Sequence, residues 1–332
     1  MIKFSKLNIK GKDLKLVSEV IRSGWLSHGQ YTSKLEKKFS NYTGSKYAIA
    51  VSSCTAALHI SCLAANLKKG DEVLVPCQSH TATSHAVEYT GAKPIFVDTD
   101  KYTGNINPQN LKKKITRNTK ALIVVHMNGK ACDMNAILKI CKTYNLKLIE
   151  DCAHSLGSYY MSKRHLGNYG LSGCFSFYPT KQITSGEGGM IITNNKKFYS
   201  IAKKLRAFGI DSDPSKRKLA GHYDVKYLGF NYRLTEFQAC LAYQQLSRYQ
   251  KNLRIRRKNA QLYVDKLKNL ENIFIDSFDE NNSYFLCQII LKTKKIRNGL
   301  LDILKQKKIG HSIHYAKPLP SLYYYKKKYN IP

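Results

Sequence analysis

Apolar and polar positions change their period along the chain. From residue 46 onward, short runs rich in β-branched residues alternate with longer segments in which apolar residues recur at helical spacing. The predicted strands cover 46–51, 72–76, 93–97, 121–125 and 146–149. The predicted helices run from about 54 to 65, from 84 to 89 and from 134 to 143. This alternation indicates a parallel sheet covered by helices.

The pattern changes after residue 150. Two further strands, 173–177 and 189–193, are separated by a glycine-rich turn instead of a helix. From residue 235 to about 267 the spacing predicts one long helix or a broken pair, and the chain after 272 predicts strands and one helix. We therefore expect a large domain, a connecting helix or helix pair, and a small C-terminal domain, over 1–234, 235–270 and 271–332.

Composition is ordinary apart from charge. Hydrophobic residues form 43% and charged residues 23% of the 332 residues, which excludes an intrinsically disordered chain. No apolar stretch is long enough to span a bilayer, so a transmembrane protein is excluded as well. The amino terminus lacks the apolar core of a secretory signal, and we expect a cytoplasmic protein. Nine cysteines without a Cys-x-x-Cys pair match neither a disulfide framework nor a metal-ligand pattern, and we expect reduced thiols and no metal.

The net charge of +33 comes from 55 Lys and Arg against 22 Asp and Glu. Such an excess raises the hypothesis of nucleic-acid binding, because basic side chains neutralise phosphates. Here the excess occurs in every third of the chain, and 44 of the 55 basic residues are lysines. No arginine–aromatic recognition motif accompanies them. The distribution favours solvated surface lysines, with attraction of smaller anionic ligands as the alternative.

Three polar residues follow predicted strands, at the sheet edge where α/β proteins hold ligands. Thr55 lies in a strand–turn–helix segment that either binds phosphate through free helix amides or merely caps the helix. Asp151 either pairs with a protonated ring nitrogen or caps a following helix. Lys181 follows an apolar strand and precedes three glycines in four residues. A lysine beside apolar surface loses its proton more readily and becomes a nucleophile toward a carbonyl carbon.

Five motifs, in this order, resemble those of the DegT/StrS family of pyridoxal-phosphate-dependent nucleotide-sugar aminotransferases. They are Ser53-Cys54-Thr55, Glu150-Asp151-Cys152-Ala153, Phe175 to Lys181, Gly229-Phe230-Asn231-Tyr232-Arg233 and His314-Tyr315. The resemblance extends over nearly the whole chain and implies an aspartate-aminotransferase-like fold, the fold type I of pyridoxal-phosphate-dependent transferases. Such a fold has a three-layer α/β/α large domain with a mostly parallel mixed sheet and a small α+β C-terminal domain.

The resemblance also implies roles for individual residues. Lys181 forms the Schiff base with pyridoxal 5′-phosphate and then moves a proton between substrate and cofactor, while Asp151 keeps the pyridine nitrogen protonated. The other implied cofactor contacts are the ring of His80, which stacks on the cofactor, His154 near its phenolic oxygen, and a phosphate cradle of Cys54, Thr55, Ala56 and Ser176. Asn231 reaches the phosphate from a second subunit, so the resemblance implies a homodimer with a shared active site.

The chain departs from the family pattern at several positions. Cys54 replaces a glycine, which is harmless only where the backbone φ is not positive. His80 replaces an aromatic ring and stacks well only when it is neutral. Lys181 stands where sugar-dehydrating relatives carry histidine, which favours amine transfer. Relatives also continue beyond the match to residues 323–328, and we expect a truncated fragment in preference to a naturally short protein.

The implied function is transfer of an amino group from glutamate to a keto nucleotide sugar, in amino-sugar and surface-polysaccharide biosynthesis. The alternatives keep the fold and cofactor but change the keto acceptor or lose turnover, or make the chain a basic nucleic-acid-binding protein. The resemblance places substrate contacts in the loop 210–226 and at His314, Tyr315 and Lys317. The sequence identifies neither the sugar nor the ring position that receives the amine.

Overall fold

The computed structural model describes residues 1–211, 219 and 221–331, so part of the loop 210–226 lies outside the described residues. The strands are β1 (Tyr47–Val51), β2 (Glu72–Pro76), β3 (Lys93–Val97), β4 (Thr119–Val125), β5 (Lys147–Asp151), β6 (Tyr159–Tyr160), β7 (Arg164–His165), β8 (Ser172–Ser176), β9 (Gly189–Thr193), β10 (Ile273–Phe274) and β11 (Ile290–Leu291). The helices are α1 (Gly11–Arg22), α2 (Gln30–Thr43), α3 (Cys54–Ala64), α4 (Thr81–Glu88), α5 (Pro108–Lys114), α6 (Met134–Thr143), α7 (Lys196–Leu205), α8 (Glu236–Ser247), α9 (Tyr249–Leu267), α10 (Lys294–Gln306) and α11 (Tyr323–Tyr329).

Seven strands form one mixed sheet in the order β1–β9–β8–β5–β4–β2–β3. Six of them run in the same direction, and β9 is antiparallel to both of its neighbours. The carboxyl ends of the six parallel strands therefore lie at one edge of the sheet. Because β9 is reversed, its first residue, Gly189, lies at that same edge. The predicted mostly parallel mixed sheet is confirmed.

Alternate residues of the central strands pack against helices on opposite faces of the sheet. In β1, Ile49 and Val51 belong to the core under α3 and α7, whereas Ala48 and Ala50 belong to the core under α2 and α8. A third group of apolar side chains lies between β4 and α6. Helices on both faces give the three-layer α/β/α arrangement that the family resemblance implies.

The chain after the sheet is less tightly packed. Helices α8 and α9 are separated at Arg248, and β10 and β11 form a two-stranded antiparallel sheet. No residue of α10 is buried, whereas α11 buries Tyr325, whose hydroxyl lies 2.7 Å from Thr81 Oγ1 of α4. We propose that the α8–α9 pair separates the sheet-containing domain from a small domain that begins near residue 271.

Within the described ranges, every helix is too short or too polar to cross a membrane. All nine cysteines are free thiols, and Cys287 is the most exposed of them.

Candidate active site

The turn between β1 and α3 is built like an anion site. The Ser53 side chain accepts the Ala56 N–H at 3.0 Å and so uses the amide of the third helical residue. The amides of Cys54 and Thr55 have no protein partner within the described ranges, and they lie at the positive end of an 11-residue helix. Cys54 is the first residue of α3 and is absent from the positive-φ residues, so this position does not require the family's glycine.

Gly189 allows β9 to approach this turn. A Cβ at Gly189 would lie 2.6 Å from the carbonyl carbon and oxygen of Ser53 and 2.7 Å from the Cys54 nitrogen. Real side chains do not tolerate such contacts with backbone atoms. The glycine-rich turn before β9 is therefore required for the shape of the cradle as well as for the path of the chain.

Asp151 ends β5 and is buried at the carboxyl edge of the sheet. Its Oδ2 accepts the Thr83 hydroxyl at 2.9 Å, and its Oδ1 accepts the Ala153 N–H at 3.1 Å. Burial raises the pKa of the Asp151 carboxyl above its usual value, while these hydrogen bonds and the charge of Lys181 act in the opposite direction. A carboxylate in this position can hold a protonated nitrogen of a bound ring.

Lys181 follows β8 and lies against apolar surface. Its Nζ is 4.5 Å from the centre of the Phe285 ring, which lies in the segment between β10 and β11. Burial lowers the pKa of the Lys181 ammonium below its usual value, although Cys54 and Asp151 oppose the shift. The side chain therefore loses its proton more readily than a surface lysine, as nucleophilic attack on a carbonyl carbon requires.

The two histidines predicted to contact the cofactor, His80 and His154, have lowered pKa values, so their rings are neutral. His80 precedes α4, and its Nδ1 accepts the Ala82 N–H at 3.2 Å. Burial lowers the pKa of His80, with a smaller opposing effect of Asp151. Burial, followed by the charge of Lys181, lowers the pKa of His154 well below its usual value. A neutral His80 meets the condition that the sequence sets for stacking.

The late His-Tyr motif comes close to the same edge. The Tyr315 carbonyl accepts the Gln78 side-chain amide at 3.0 Å, and the Tyr315 ring lies 6.3 Å from the His80 ring. The His314 ring stacks at 6.0 Å on Phe4 from the amino terminus. Lys317 is exposed, and among the described residues no hydrogen bond, ion pair or ring contact joins it to this group.

Two further predicted phosphate ligands differ in their surroundings. Ser176 ends β8, and its Oγ accepts the Tyr178 N–H at 3.3 Å. Asn231 is exposed, and its Oδ1 accepts the Arg233 Nε–H at 3.0 Å. An exposed Asn231 is compatible with a role in a neighbouring subunit, which remains a prediction.

The structure also shows residues that the sequence did not indicate. Thr83 contacts Asp151, Phe285 contacts Lys181, and the Gln182 amide donates to the His154 carbonyl at 2.5 Å. Thr83 lies one helical turn after His80, so helical spacing could have placed it beside the sheet. Phe285 carries no such signal, because its position depends on how the distant segment between β10 and β11 packs against the sheet.

The polar groups at this edge of the sheet match the parts of pyridoxal phosphate. The free amides at the start of α3 suit its phosphate, the buried Asp151 carboxylate suits its ring nitrogen, and the Lys181 amine suits its aldehyde. A half-buried lysine and a buried carboxylate at the carboxyl edge of such a sheet are the arrangement expected of an aspartate-aminotransferase-like enzyme.

Comparison with known proteins identifies the family. The model of the DegT/DnrJ/EryC1/StrS aminotransferase family matches residues 7–332. The chain therefore belongs to this aminotransferase family. Aminotransferases of this family depend on pyridoxal phosphate.

The similar proteins include sugar aminotransferases. The chain is 36% identical to the GDP-perosamine synthase of Escherichia coli O157:H7 over 315 residues, which cover 92% of this chain and 84% of the relative. The structure is similar to PseC of Helicobacter pylori, an aminotransferase involved in pseudoaminic acid biosynthesis, with 28% identity, a TM-score of 0.90 and coverage of 100% and 89%. It is also similar to the putative sugar aminotransferase Spr1654 of Streptococcus pneumoniae in its PMP-form, with 28% identity, a TM-score of 0.91 and coverage of 99% and 88%.

Proposed function

We propose that this protein is a pyridoxal-phosphate-dependent aminotransferase that moves an amino group from glutamate to the keto group of a nucleotide sugar. The observation that carries the proposal is the half-buried Lys181 amine, whose pKa is lowered and which interacts electrostatically with the buried Asp151 carboxylate. The relatives named for GDP-perosamine and pseudoaminic acid support a nucleotide-sugar acceptor and a place in amino-sugar and surface-polysaccharide biosynthesis.

The cofactor contacts divide among three parts of the site. The Cys54 and Thr55 amides and the Ser176 hydroxyl would hold the phosphate. Asp151 would hold the ring nitrogen, and His80 and His154 would contact the ring. When bound, pyridoxal phosphate supplies an electron sink that stabilises negative charge on the carbon beside an amine.

The residues of the chain supply the proton transfers and the enclosure. The Lys181 amine would accept a proton at Nζ from the substrate carbon and would later donate a proton from Nζ back to the reacting molecule. Its lowered pKa suits this use, because an amine that stays protonated cannot act as a base. Phe285 lies against Lys181, with Nζ 4.5 Å from the centre of its ring, and would limit the access of water to Nζ on that side.

The function is tested first by cofactor binding. Wild-type protein mixed with pyridoxal phosphate is expected to show the visible absorption of the lysine-bound cofactor, and Lys181→Ala is expected to lose it. Lys163→Ala, which removes an exposed lysine, serves as the matched control. An unchanged spectrum in Lys181→Ala would contradict the assignment.

Turnover is tested with glutamate and a panel of 3-keto and 4-keto nucleotide sugars. Mass spectrometry is expected to detect an amino sugar and an equal amount of 2-oxoglutarate. Formation of 2-oxoglutarate without consumption of any sugar would count against the sugar acceptor. It would favour a different keto acceptor on the same fold.

We also propose a homodimer in which Asn231 completes the site of the partner. Asn231 is exposed, and its neighbourhood carries large exposed apolar side chains, namely Phe208, Tyr227, Leu228 and Phe237. Mixing Lys181→Ala with Asn231→Ala subunits under exchanging conditions is expected to restore activity, since half of the sites in mixed dimers receive both native residues. Mixing that restores no activity would contradict a shared site.

A further inference from the structure

A buried histidine–glutamate pair lies directly behind the candidate site. His126 and Glu150 are both fully buried, with His126 Nε2 at 3.1 Å from Glu150 Oε2. The same carboxylate accepts the N–H groups of Gly167, Tyr169 and Gly170, each at 2.7 Å. Four donors thus surround Glu150, which offsets the cost of burying its charge.

The other ring nitrogen of His126 fixes a turn. His126 Nδ1 lies 3.2 Å from the backbone nitrogen of Cys132. Because a backbone N–H can only donate, Nδ1 accepts, and the hydrogen of the ring is on Nε2, which donates to Glu150. Cys152 brings a third potential metal-ligating atom within 4.8 Å, but both ring nitrogens and both carboxylate oxygens are already engaged by protein groups. We therefore assign this cluster to hydrogen bonding.

The turn between His126 and Cys132 has an unfavourable backbone. Asn128 has φ of 55° and Gly129 has φ of 92°. A left-handed conformation is costly for most residues other than glycine and persists only where its surroundings impose it. The bridge from Glu150 through the His126 ring to the Cys132 amide provides that support.

A single residue of this turn contacts two rings of the site. The Asn128 N–H donates to His154 Nδ1 at 3.4 Å, and the Asn128 carbonyl accepts the Phe285 N–H at 3.2 Å. The His154 and Phe285 rings stack with centroids 4.3 Å apart and planes at 15°. Phe285 in turn lies against Lys181. The turn thus fixes the position of the stacked His154 and Phe285 rings, the second of which contacts Lys181.

The same contact determines where His154 carries its hydrogen. Nδ1 accepts from a backbone N–H, and the ring is neutral, so the hydrogen lies on Nε2. Within the described ranges, Nε2 has no hydrogen-bond partner in the protein. Its hydrogen is therefore available to a bound molecule, as donation to a cofactor oxygen requires.

We propose that His126 and Glu150 are positioning residues for amine transfer, which fix the 126–132 turn so that Asn128 holds His154 with its hydrogen on Nε2. This inference rests on the proposed function of His154 as a cofactor contact. Its first test concerns the free chain and does not depend on turnover. Failure of the proposed function and failure of this inference are therefore distinguishable.

The experiment compares three substitutions of His126 in the full chain. Asn places a carbonyl oxygen near the position of Nδ1 and retains the acceptor for Cys132, whereas Gln reaches toward Glu150 and loses that acceptor. Leu loses both. Correlation of ring ¹⁵N and ¹H signals in histidine-labelled protein reports which nitrogen carries the hydrogen, and His154→Gln identifies the His154 signals. His165, with Nε2 accepting from Gly157 and Nδ1 contacting the Leu166 carbonyl, provides the opposite tautomer as an internal reference.

The wild type is expected to show His154 with its hydrogen on Nε2, and His126→Asn, which keeps the acceptor for Cys132 but loses the Glu150 contact, is expected to retain most of this form. His126→Gln and His126→Leu are expected to show a mixture of tautomers and to bind pyridoxal phosphate roughly five- to tenfold more weakly, as for one lost hydrogen bond. Loss of general stability alone would affect Asn and Gln alike. A doubly protonated or Nδ1-protonated His154 in the wild type would overturn the inference, even if no variant folds. An unchanged tautomer in folded Gln and Leu variants would do the same.

Discussion

The Thr83 hydroxyl donates a 2.9 Å hydrogen bond to Asp151 Oδ2, although 68 residues separate the two in the chain. Ser79 Oγ lies 2.8 Å from Thr83 Oγ1. Since the hydrogen of Thr83 is used by Asp151, Ser79 donates to Thr83. The start of α4 therefore supports the carboxylate that faces the proposed ring nitrogen.

Thr83→Val should weaken the function of Asp151 without changing the volume of the side chain. Loss of a hydrogen bond to a charged group costs about 1.5–3 kcal/mol, so we expect kcat/KM to fall at least tenfold. Steady-state kinetics with the accepted keto sugar measure the effect. Ser79→Ala leaves the Thr83–Asp151 bond in place and is the matched control; equal losses in the two variants would contradict this role for Thr83.

The raised pKa of Asp151 predicts a pH-dependent stability of the cofactor-free protein. The folded state binds the Asp151 proton more tightly than the unfolded state, so the contribution of this group is favourable at low pH. It is lost as pH rises from the unfolded pKa, about 3.9, through the folded pKa. Asp151→Asn removes this loss and should be more stable than the wild type at neutral pH. Urea unfolding over a pH series measures the difference, and parallel curves for the two proteins would refute the prediction.

Gly189→Ala should disrupt the phosphate cradle. The added Cβ would meet Ser53 and Cys54 backbone atoms at 2.6–2.7 Å, so the turn must move and pyridoxal phosphate should bind at least tenfold more weakly. Gly299→Ala is the matched control, because its Cβ meets nothing within 4 Å in α10. That control should gain about 0.5–1 kcal/mol of stability. Cofactor titration and thermal unfolding of both variants provide the comparison.

Glu236 is expected to be essential for stability. Its buried carboxylate accepts the N–H groups of Gly29, Tyr31 and Thr32 and the Thr32 hydroxyl at 2.7–3.0 Å. Glu236→Gln would direct an amide donor at other donors and should reduce the free energy of unfolding by about 2–4 kcal/mol. The exposed Glu271→Gln should change it by less than about 0.5 kcal/mol. Similar unfolding midpoints for both variants would contradict this assignment.

Local patterns predicted the central elements well because apolar runs and turn residues determine them. The bounds of β2, β3, β9 and α6 agree with the expected ranges. The helix expected at 84–89 begins three residues earlier, at Thr81, because the His80 side chain caps its first turn. No element is predicted from the sequence over α1, α2, α5, α7 or the β6–β7 hairpin. Each strand of that hairpin has only two residues, too few to show an alternation of apolar and polar positions.

The site was predictable to the extent that it follows strand ends. Asp151 and the residues around Lys181 come after β5 and β8, so parallel strands bring them to one edge. The contacts of Thr83 and Phe285 depend on how distant segments pack, and the amino-acid sequence carries no local signal for such pairs. The left-handed turn at Asn128 likewise depends on contacts with distant segments and has no local signal in the sequence.

Glu150 and Asp151 are neighbours in β5, yet each carboxylate has its own set of donors on its own face of the sheet. If β5 shifted by one residue, each carboxylate would move to the opposite face of the sheet, away from its own hydrogen-bond donors. Both misplaced charges would then be buried without their partners, at high cost. A one-residue shift of β5 would therefore cost free energy at both acids, so the adjacent carboxylates favour the native register of the strand.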